Sequence, residues 1–316
     1  MEVLITTPSF GRQSNEPWEA LDDAGVVVRR PQAAHPLDPT QLANEASDVP
    51  AIIVGLDEVD KSVFSALPSL KVVAKHGVGV DNIDLDAARA AGVRVVNAPG
   101  ANAGAVADLT LGAMLSIARQ LPAAHRSMLE GRWETFPGVE LGGRKLGILG
   151  FGRIGQGVAQ RARAFGMEVV AYDPYVPDEV MVAAGVKPDG LDEVVAIADF
   201  LTLHLPGDPD AAPLLSPERM ESMKRGVFLI NAARGGLIDE GHLVKLLADG
   251  HVAGAALDAF AQEPLGKDHP LLSAGNVLLT PHIGAYTDRA NAAMGTSVAH
   301  DVARVLRGEE PVNAVV

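Results

Sequence analysis

Lys145-Leu-Gly-Ile-Leu-Gly-Phe-Gly-Arg-Ile-Gly155 decides the reading of this chain. The apolar residues Leu146–Leu149 predict a strand, Gly150, Gly152 and Gly155 a tight turn, and Arg153 onward the first turn of a helix. That arrangement cradles a dinucleotide pyrophosphate. Gly150 allows the turn, Gly152 lets the backbone approach the phosphates, and Gly155 lets helix and strand pack closely. The helix N-terminus adds free N–H groups and the positive end of a dipole.

A lone G-x-G-x-x-G is a weak signal, because glycines mark turns everywhere. Its surroundings strengthen it. A helix over Ile154–Phe165 leads into a second apolar strand, Glu168–Tyr172, which ends at Asp173, 18 residues after Gly155. An acid there accepts hydrogen bonds from ribose hydroxyls and repels a 2′-phosphate, so NAD is expected rather than NADP.

The composition narrows the function classes. The chain has 316 residues, enough for two domains, and no cysteine, which removes disulfides and thiolate chemistry. With 26 Lys and Arg against 40 Asp and Glu, the net charge is −14. No basic cluster exceeds a pair, so no nucleic-acid partner is expected. The N-terminus, Met-Glu-Val-Leu-Ile-Thr-Thr-Pro, predicts a strand and not a signal peptide. No apolar run approaches the ~20 residues that span a bilayer. The expectation is a soluble cytoplasmic protein without membrane contact. H-x-x-x-H, H-E-x-x-H and G-x-S-x-G are all absent, so neither a metal site nor a serine hydrolase is expected.

Strands and helices alternate through most of the chain, which predicts parallel α/β layers. Strands are expected near Val3–Thr6, Val26–Arg29, Ala51–Val54, Lys71–Lys75 and Arg94–Val96, with helices such as Lys61–Ala66 and Asp84–Ala91 between them. A long helical segment follows over Asn102–Glu130, with Ala105, Leu109, Ala113 and Ile117 at helical spacing. A second series comprises Leu146–Gly150, Glu168–Tyr172, Phe200–Leu205, Val227–Asn231, Ala253–Asp258 and Val277–Thr280. A helix over Asp239–Asp249 lies within it. A last helix, Thr287–Arg307, is long enough to return to the first domain. The expected fold class is α/β with two doubly wound parallel sheets: a Rossmann domain and a smaller flavodoxin-like domain. The expected division is 1–98 with 287–316, and 99–286.

Residues past strand ends are the candidates for chemistry, because loops and free amides converge there. Arg234, in Asn231-Ala-Ala-Arg-Gly-Gly236, could clamp a carboxylate with two parallel hydrogen bonds. Read alone, it is more often an ordinary surface arginine in a turn. His282, in Thr280-Pro-His-Ile-Gly284, could take a proton from an alcohol as hydride leaves its carbon, and return it in reverse. Loop histidines are more often structural, and only position separates this one from the other eight. Glu263 would raise the histidine pKa if the two met, a contact that sequence cannot show. His204 reads as packing beside the cofactor. In Lys75-His-Gly-Val-Gly-Val-Asp-Asn82, the amides of Gly77, Val78 and Gly79 suit an anion. Lys75 and His76 stand between anion contact and a plain turn, with Asp81 or Asp84 capping the next helix.

Together these motifs resemble the D-isomer-specific 2-hydroxyacid dehydrogenase family, from about Ala51 onward and most strongly over Gly143–Ala285. Within it the chain is most similar to the D-3-phosphoglycerate dehydrogenase group. The stretches that carry the resemblance are Leu-Gly-Ile-Leu-Gly-Phe-Gly-Arg-Ile-Gly, Asn-Ala-Ala-Arg-Gly-Gly, Ala-Leu-Asp-Ala-Phe-x-x-Glu-Pro, Thr-Pro-His-Ile-Gly-Ala and Val-Gly-Val-Asp-Asn-Ile-Asp.

The resemblance implies an NAD-dependent oxidoreductase that moves hydride between C2 of a D-2-hydroxy acid and nicotinamide. It implies that Arg234 binds the substrate carboxylate, His282 is the acid/base and Glu263 tunes it. It assigns NAD contacts to Gly150, Gly152, Arg153, Ile154, Gly155, Asp173, Leu205, Pro206, Ala232, Asp258 and Gly284. Substrate contacts fall on Lys75, His76, Gly77, Val78, Gly79 and Arg234. A homodimer is also implied. The leading substrate pair is 3-phosphoglycerate and phosphohydroxypyruvate.

Some positions depart from that group. Gly55 and Lys75 stand where it often has arginine, the loop Pro206-Gly-Asp-Pro-Asp-Ala-Ala-Pro213 is poor in hydrophobics, and no regulatory domain follows Val316, so a short form is expected. Glyoxylate, hydroxypyruvate, sulfolactate or phosphite are therefore rival substrates, and an NAD(H)-sensing regulator is the rival of another class.

Overall fold

A computed structural model describes residues 1–207 and 211–316. The loop expected over 206–213 thus lies partly outside the described residues. The chain divides into two units, one of Met1–Asn102 with Ala285–Val316 and one of Ala103–Gly284.

The first unit holds strands β1 (Glu2–Ile5), β2 (Val27–Arg29), β3 (Ala51–Val54), β4 (Val72–Lys75) and β5 (Arg94–Val96). All pair in parallel, in the order β2-β1-β3-β4-β5. Helices α1 (Glu16–Asp23), α2 (Pro39–Glu45), α3 (Lys61–Ala66) and α4 (Leu85–Ala91) connect them. Every residue of β3 is fully buried, as expected where helices cover both faces of a parallel sheet. Each such Ile or Val stabilises the fold by roughly 1.5–3 kcal/mol. Helix starts follow the sequence. Asp38, Asp60 and Asp84 cap α2, α3 and α4 through their carboxylates.

The second unit begins with α5 (Ala103–Ala118) and α6 (Leu121–Leu129). The single long helix expected over 102–130 is therefore two helices. Pro122 lies in the first turn of α6, where its missing N–H is tolerated, and Gln120 before it takes a left-handed φ of +50°. Strands β6 (Lys145–Leu149), β7 (Glu168–Tyr172), β8 (Lys187–Pro188), β9 (Phe200–Leu203), β10 (Val227–Asn231), β11 (Val252–Leu257) and β12 (Val277–Leu279) alternate with α7 (Arg153–Ala164), α8 (Asp178–Ala183), α9 (Leu191–Ile197), α10 (Pro217–Glu221) and α11 (Glu240–Ala248). The sheet order is β12-β11-β10-β9-β6-β7-β8, all parallel. The strand order reverses at β6, the dinucleotide switch point of a Rossmann sheet. Six of these strands were expected. The seventh, β8, is two residues long and carries no apolar run.

The final helix, α12 (Asp288–Leu306), belongs to the first unit and packs on α1 and β4. Thr287 caps its start. Buried Asp301 accepts from the amides of Val312 and Asn313, which turns the tail back to pair with Val95.

Candidate active site

The second unit gathers its candidates at the carboxyl ends of the strands. The glycine turn follows β6, Asp173 follows β7, and Leu205 and Pro206 lie past β9. Ala232 and Arg234 lie past β10, Asp258 and Glu263 past β11, and His282 and Gly284 past β12.

The glycine turn fits a dinucleotide. Gly150 has φ +96°, a conformation that side chains rarely adopt. A Cβ on Gly155 would lie 2.2 Å from the Gly150 carbonyl oxygen, so strand and helix meet there without room for one. A Cβ on Gly152 would meet nothing within 4 Å, which leaves open space at the start of α7. That helix start has no side-chain cap. Its first amides are then available to an anion. Asp173 accepts from the Phe151 amide at 2.7 Å and the Tyr175 amide at 2.9 Å, which fixes its carboxylate beside the turn. His204, below the turn, bonds Thr202 Oγ1 at 3.0 Å, and burial pushes its pKa down to about 3. It is a neutral packing residue whose carbonyl faces Gly150.

The loops after β10, β11 and β12 bring Arg234, Glu263 and His282 together. His282 Nδ1 lies 2.9 and 3.1 Å from the two Glu263 oxygens. The bond to Glu263 is the strongest influence on the imidazole and raises its pKa against burial, which lowers it. The Glu263 and Asp258 charges add to the rise and Arg234 opposes it. Burial acts most strongly on Glu263 and pushes its carboxyl up. The bonds from His282 and the Phe260 amide, with the His282 and Arg234 charges, outweigh burial and leave Glu263 below its ordinary value. The pair is therefore stable as carboxylate and Nδ1–H. Among the described residues no partner bonds His282 Nε2, and the side chain is 46% exposed. Such a nitrogen can hold or release a proton near neutral pH.

His282 has φ +52°, uncommon for a residue with a side chain. Asp258 holds it there. Its carboxylate accepts from Thr280 Oγ1 at 2.6 Å and from the Ile283 and Gly284 amides at 2.8 Å each. Asn231 does the same for Arg234, donating to the Arg234 carbonyl and accepting from the Ala233 amide. Sequence reading singled out neither Asn231 nor Thr280 as a support. Both stood within the quoted motifs, and only the strand ends beside them hinted at the role.

The first unit treats its candidates differently. Lys75 Nζ donates to the Gly55 carbonyl and to Asn82 Oδ1 at 2.6 Å. His76 is 7% exposed, accepts or donates at Nδ1 with Ser9 Oγ at 3.0 Å, and sits edge-on to Phe10. Burial, ahead of a bond toward the Asn291 backbone, which raises it, and of the Lys75 charge, lowers its pKa to about 4. It is a neutral core histidine. The Gly77 amide is already bonded to the Lys75 carbonyl, while Asn97 donates to the Val78 carbonyl. The strand-end amides left for an anion are thus those of Val78 and Gly79. A Cβ on Gly55 would lie 2.7 Å from Thr7 Oγ1, so the β3 terminus admits no larger side chain without moving Thr7.

Residues 111–284 match the model of the D-isomer specific 2-hydroxyacid dehydrogenase, NAD binding domain. The chain belongs to the D-isomer specific 2-hydroxyacid dehydrogenase family. It is 42% identical over its whole length to D-3-phosphoglycerate dehydrogenase of Methanocaldococcus jannaschii, of which it covers 59%. It is 47% identical over 81% of its length to the enzyme of that name from Mycobacterium tuberculosis, of which it covers 49%. The chain thus spans about half to three-fifths of these curated relatives. A Thermus thermophilus protein of known structure is 36% identical and superposes with a TM-score of 0.88, each chain covered completely. A glyoxylate reductase from Paecilomyes thermophila is 31% identical with a TM-score of 0.87, covering 100% of this chain and 98% of its own. The two parallel sheets are the fold of this family, and NAD is its cofactor.

Proposed function

We propose that the protein is an NAD-dependent D-2-hydroxyacid dehydrogenase with 3-phosphoglycerate and phosphohydroxypyruvate as its leading substrate pair. The observation that carries this reading is the Glu263–His282 pair beside Arg234, in the same unit as the glycine turn. Bound NAD supplies the hydride acceptor. Gly150, Gly152, Arg153, Ile154 and Gly155 hold its pyrophosphate, and Asp173 its ribose. Leu205, Pro206, Ala232, Asp258 and Gly284 line the rest of its path. Arg234 clamps the substrate carboxylate with two parallel hydrogen bonds. His282 Nε2 takes the hydroxyl proton as the alcohol is oxidised and returns it in reduction. Glu263 keeps Nδ1 protonated and stabilises the imidazolium. The amides of Val78 and Gly79 are the substrate contacts favoured in the first unit, ahead of Lys75, His76 and Gly77. The reading includes a cytoplasmic location and a homodimer, the second of which draws support from the exposed Met128, Leu129 and Trp133 on and after α6.

A second reading, an unphosphorylated acid such as glyoxylate or hydroxypyruvate, draws support from Gly55 and Lys75. The β3 terminus offers no side chain, and Lys75 is turned onto a main-chain carbonyl and Asn82. The likeness to a glyoxylate reductase is consistent with it.

NADH oxidation measured against phosphohydroxypyruvate, hydroxypyruvate, glyoxylate and sulfopyruvate tests both. A preference of about tenfold in kcat/KM, or ~1.4 kcal/mol of transition-state discrimination, decides between phosphorylated and plain acids. No turnover on any of them, with tight NADH binding, overturns the enzyme reading in favour of an NAD(H)-sensing regulator.

A further inference from the structure

Glu240 opens α11 and lies outside every candidate motif quoted above. Its side chain is only 11% exposed, unusual for a glutamate at a helix start. Two donors hold it. The Ala261 amide donates to Oε1 at 2.7 Å, and His269 Nε2 lies 3.3 Å from Oε2. His269 Nδ1 accepts from the Leu271 amide, which leaves Nε2 as the ring atom facing Glu240.

The Phe260–Ala261 peptide that Glu240 grips shares the Phe260 Cα with the amide that bonds Glu263. The Phe260 amide donates to Glu263 Oε1 at 2.9 Å. The same peptide is pressed against the backbone of Gly235, where a Cβ would lie 1.8 Å from the Phe260 carbonyl carbon. One peptide is thus fixed both by close contact with Gly235 and by its N–H bond to Glu240. Its orientation sets the direction in which the chain leaves toward Glu263.

We propose that Glu240 is a positioning residue, holding the Phe260–Ala261 peptide so that the Glu263 carboxylate meets His282. The proposal rests on the functional reading only for its effect on turnover, since the hydrogen-bond path itself lies in the structure. The charged groups that act on His282 are Glu263, Asp258 and Arg234. Glu240 reaches it through the backbone.

The test is an NMR titration of the His282 ring in the cofactor-free protein, its signal assigned with His282→Gln. Glu240→Ala removes the acceptor and the charge. Glu240→Gln keeps an acceptor for the Ala261 amide and removes only the charge. The expected result is that His282 in Glu240→Ala titrates at lower pH than in wild type, toward an ordinary histidine, while Glu240→Gln stays close to wild type. In turnover, Glu240→Ala loses roughly tenfold in kcat with KM little changed, as a misaimed group does. An unmoved His282 titration in a folded Glu240→Ala protein overturns the proposal. So does an equal shift in Glu240→Gln, which marks a charge effect and not a positional one. If Glu240→Ala does not fold, Glu240→Asp, one methylene too short to reach Ala261, takes its place with the same expected and contrary results. Absence of turnover on every acid would sink the dehydrogenase reading and leave the titration result standing.

Discussion

His282 Nδ1 stands 2.9 Å from Glu263 Oε2 across 19 residues of sequence, and this contact fixes which ring nitrogen faces outward. With the carboxylate on Nδ1, the proton that comes and goes sits on Nε2. On the proposed mechanism, reduction of a 2-oxo acid needs that nitrogen protonated, so its rate is expected to fall as pH rises through the raised His282 pKa. Glu263→Gln removes the carboxylate charge that adds to the rise and leaves only a neutral acceptor for Nδ1–H. The alkaline limb of kcat/KM for reduction then moves to lower pH. His282→Ala cuts kcat by roughly 10²–10⁴ with NADH affinity kept. A pH profile and a fluorescence titration with NADH check both, and an unmoved limb in Glu263→Gln would remove the coupling from the mechanism.

Asp258 carries a different load. It satisfies the Thr280 hydroxyl and the Ile283 and Gly284 amides, which flank the left-handed His282. Asp258→Ala strands the buried Gly284 amide and lowers stability by about 1–3 kcal/mol. Urea unfolding at neutral pH measures it. A variant within about 0.5 kcal/mol of wild type would mean that the loop finds other acceptors.

Much of this architecture was legible because its signals are local. The glycine turn, the fully buried strand Ala51–Val54 and the aspartate caps each declare themselves within a few residues. The break between α5 and α6 falls just before Pro122, within an alanine-rich stretch whose helical spacing reads as one helix. The Glu263–His282 contact, the Glu240 grip on Ala261 and the Asp258 clamp join loops that follow different elements, and no spacing in the chain encodes them. His76 shows the reverse limit. Its place after a strand suggested a ligand contact, while Ser9 and Phe10, distant in sequence, enclose it in the core.

In the first unit, acid should release a buried tie. Asp57 is fully buried and accepts from Thr6, His35, the Leu37 amide and the Gly55 amide. Burial, the largest influence, pushes its carboxyl up. The bond from His35, those from Leu37 and Thr6, and the His35 charge together bring it down to about 2. A folded-state pKa below the unfolded value of 3.8 gives stability that is present above about pH 4 and lost as pH falls toward 2. Its size is about 2 kcal/mol, of which about 1 is gone by pH 3. The stability gap between wild type and Asp57→Asn therefore narrows from pH 6 to pH 3. A gap that stays constant over that range would show that Asp57 is not ionised in the fold.

On the proposed reading, Asp173 sets the cofactor preference by charge and by position. It holds the Phe151 amide of the glycine turn, so its loss weakens the turn for either dinucleotide. It also stands where a 2′-phosphate would add like charge. Asp173→Ser should raise Kd for NADH, yet change NADPH affinity less or improve it. The ratio of the two constants, rather than either alone, isolates the charge. A shift toward NADPH of roughly tenfold corresponds to ~1.4 kcal/mol, a modest repulsion for partly solvated charges a few ångströms apart. Paired titrations with NADH and NADPH give the ratio, and equal weakening of both would reduce Asp173 to a support for the turn.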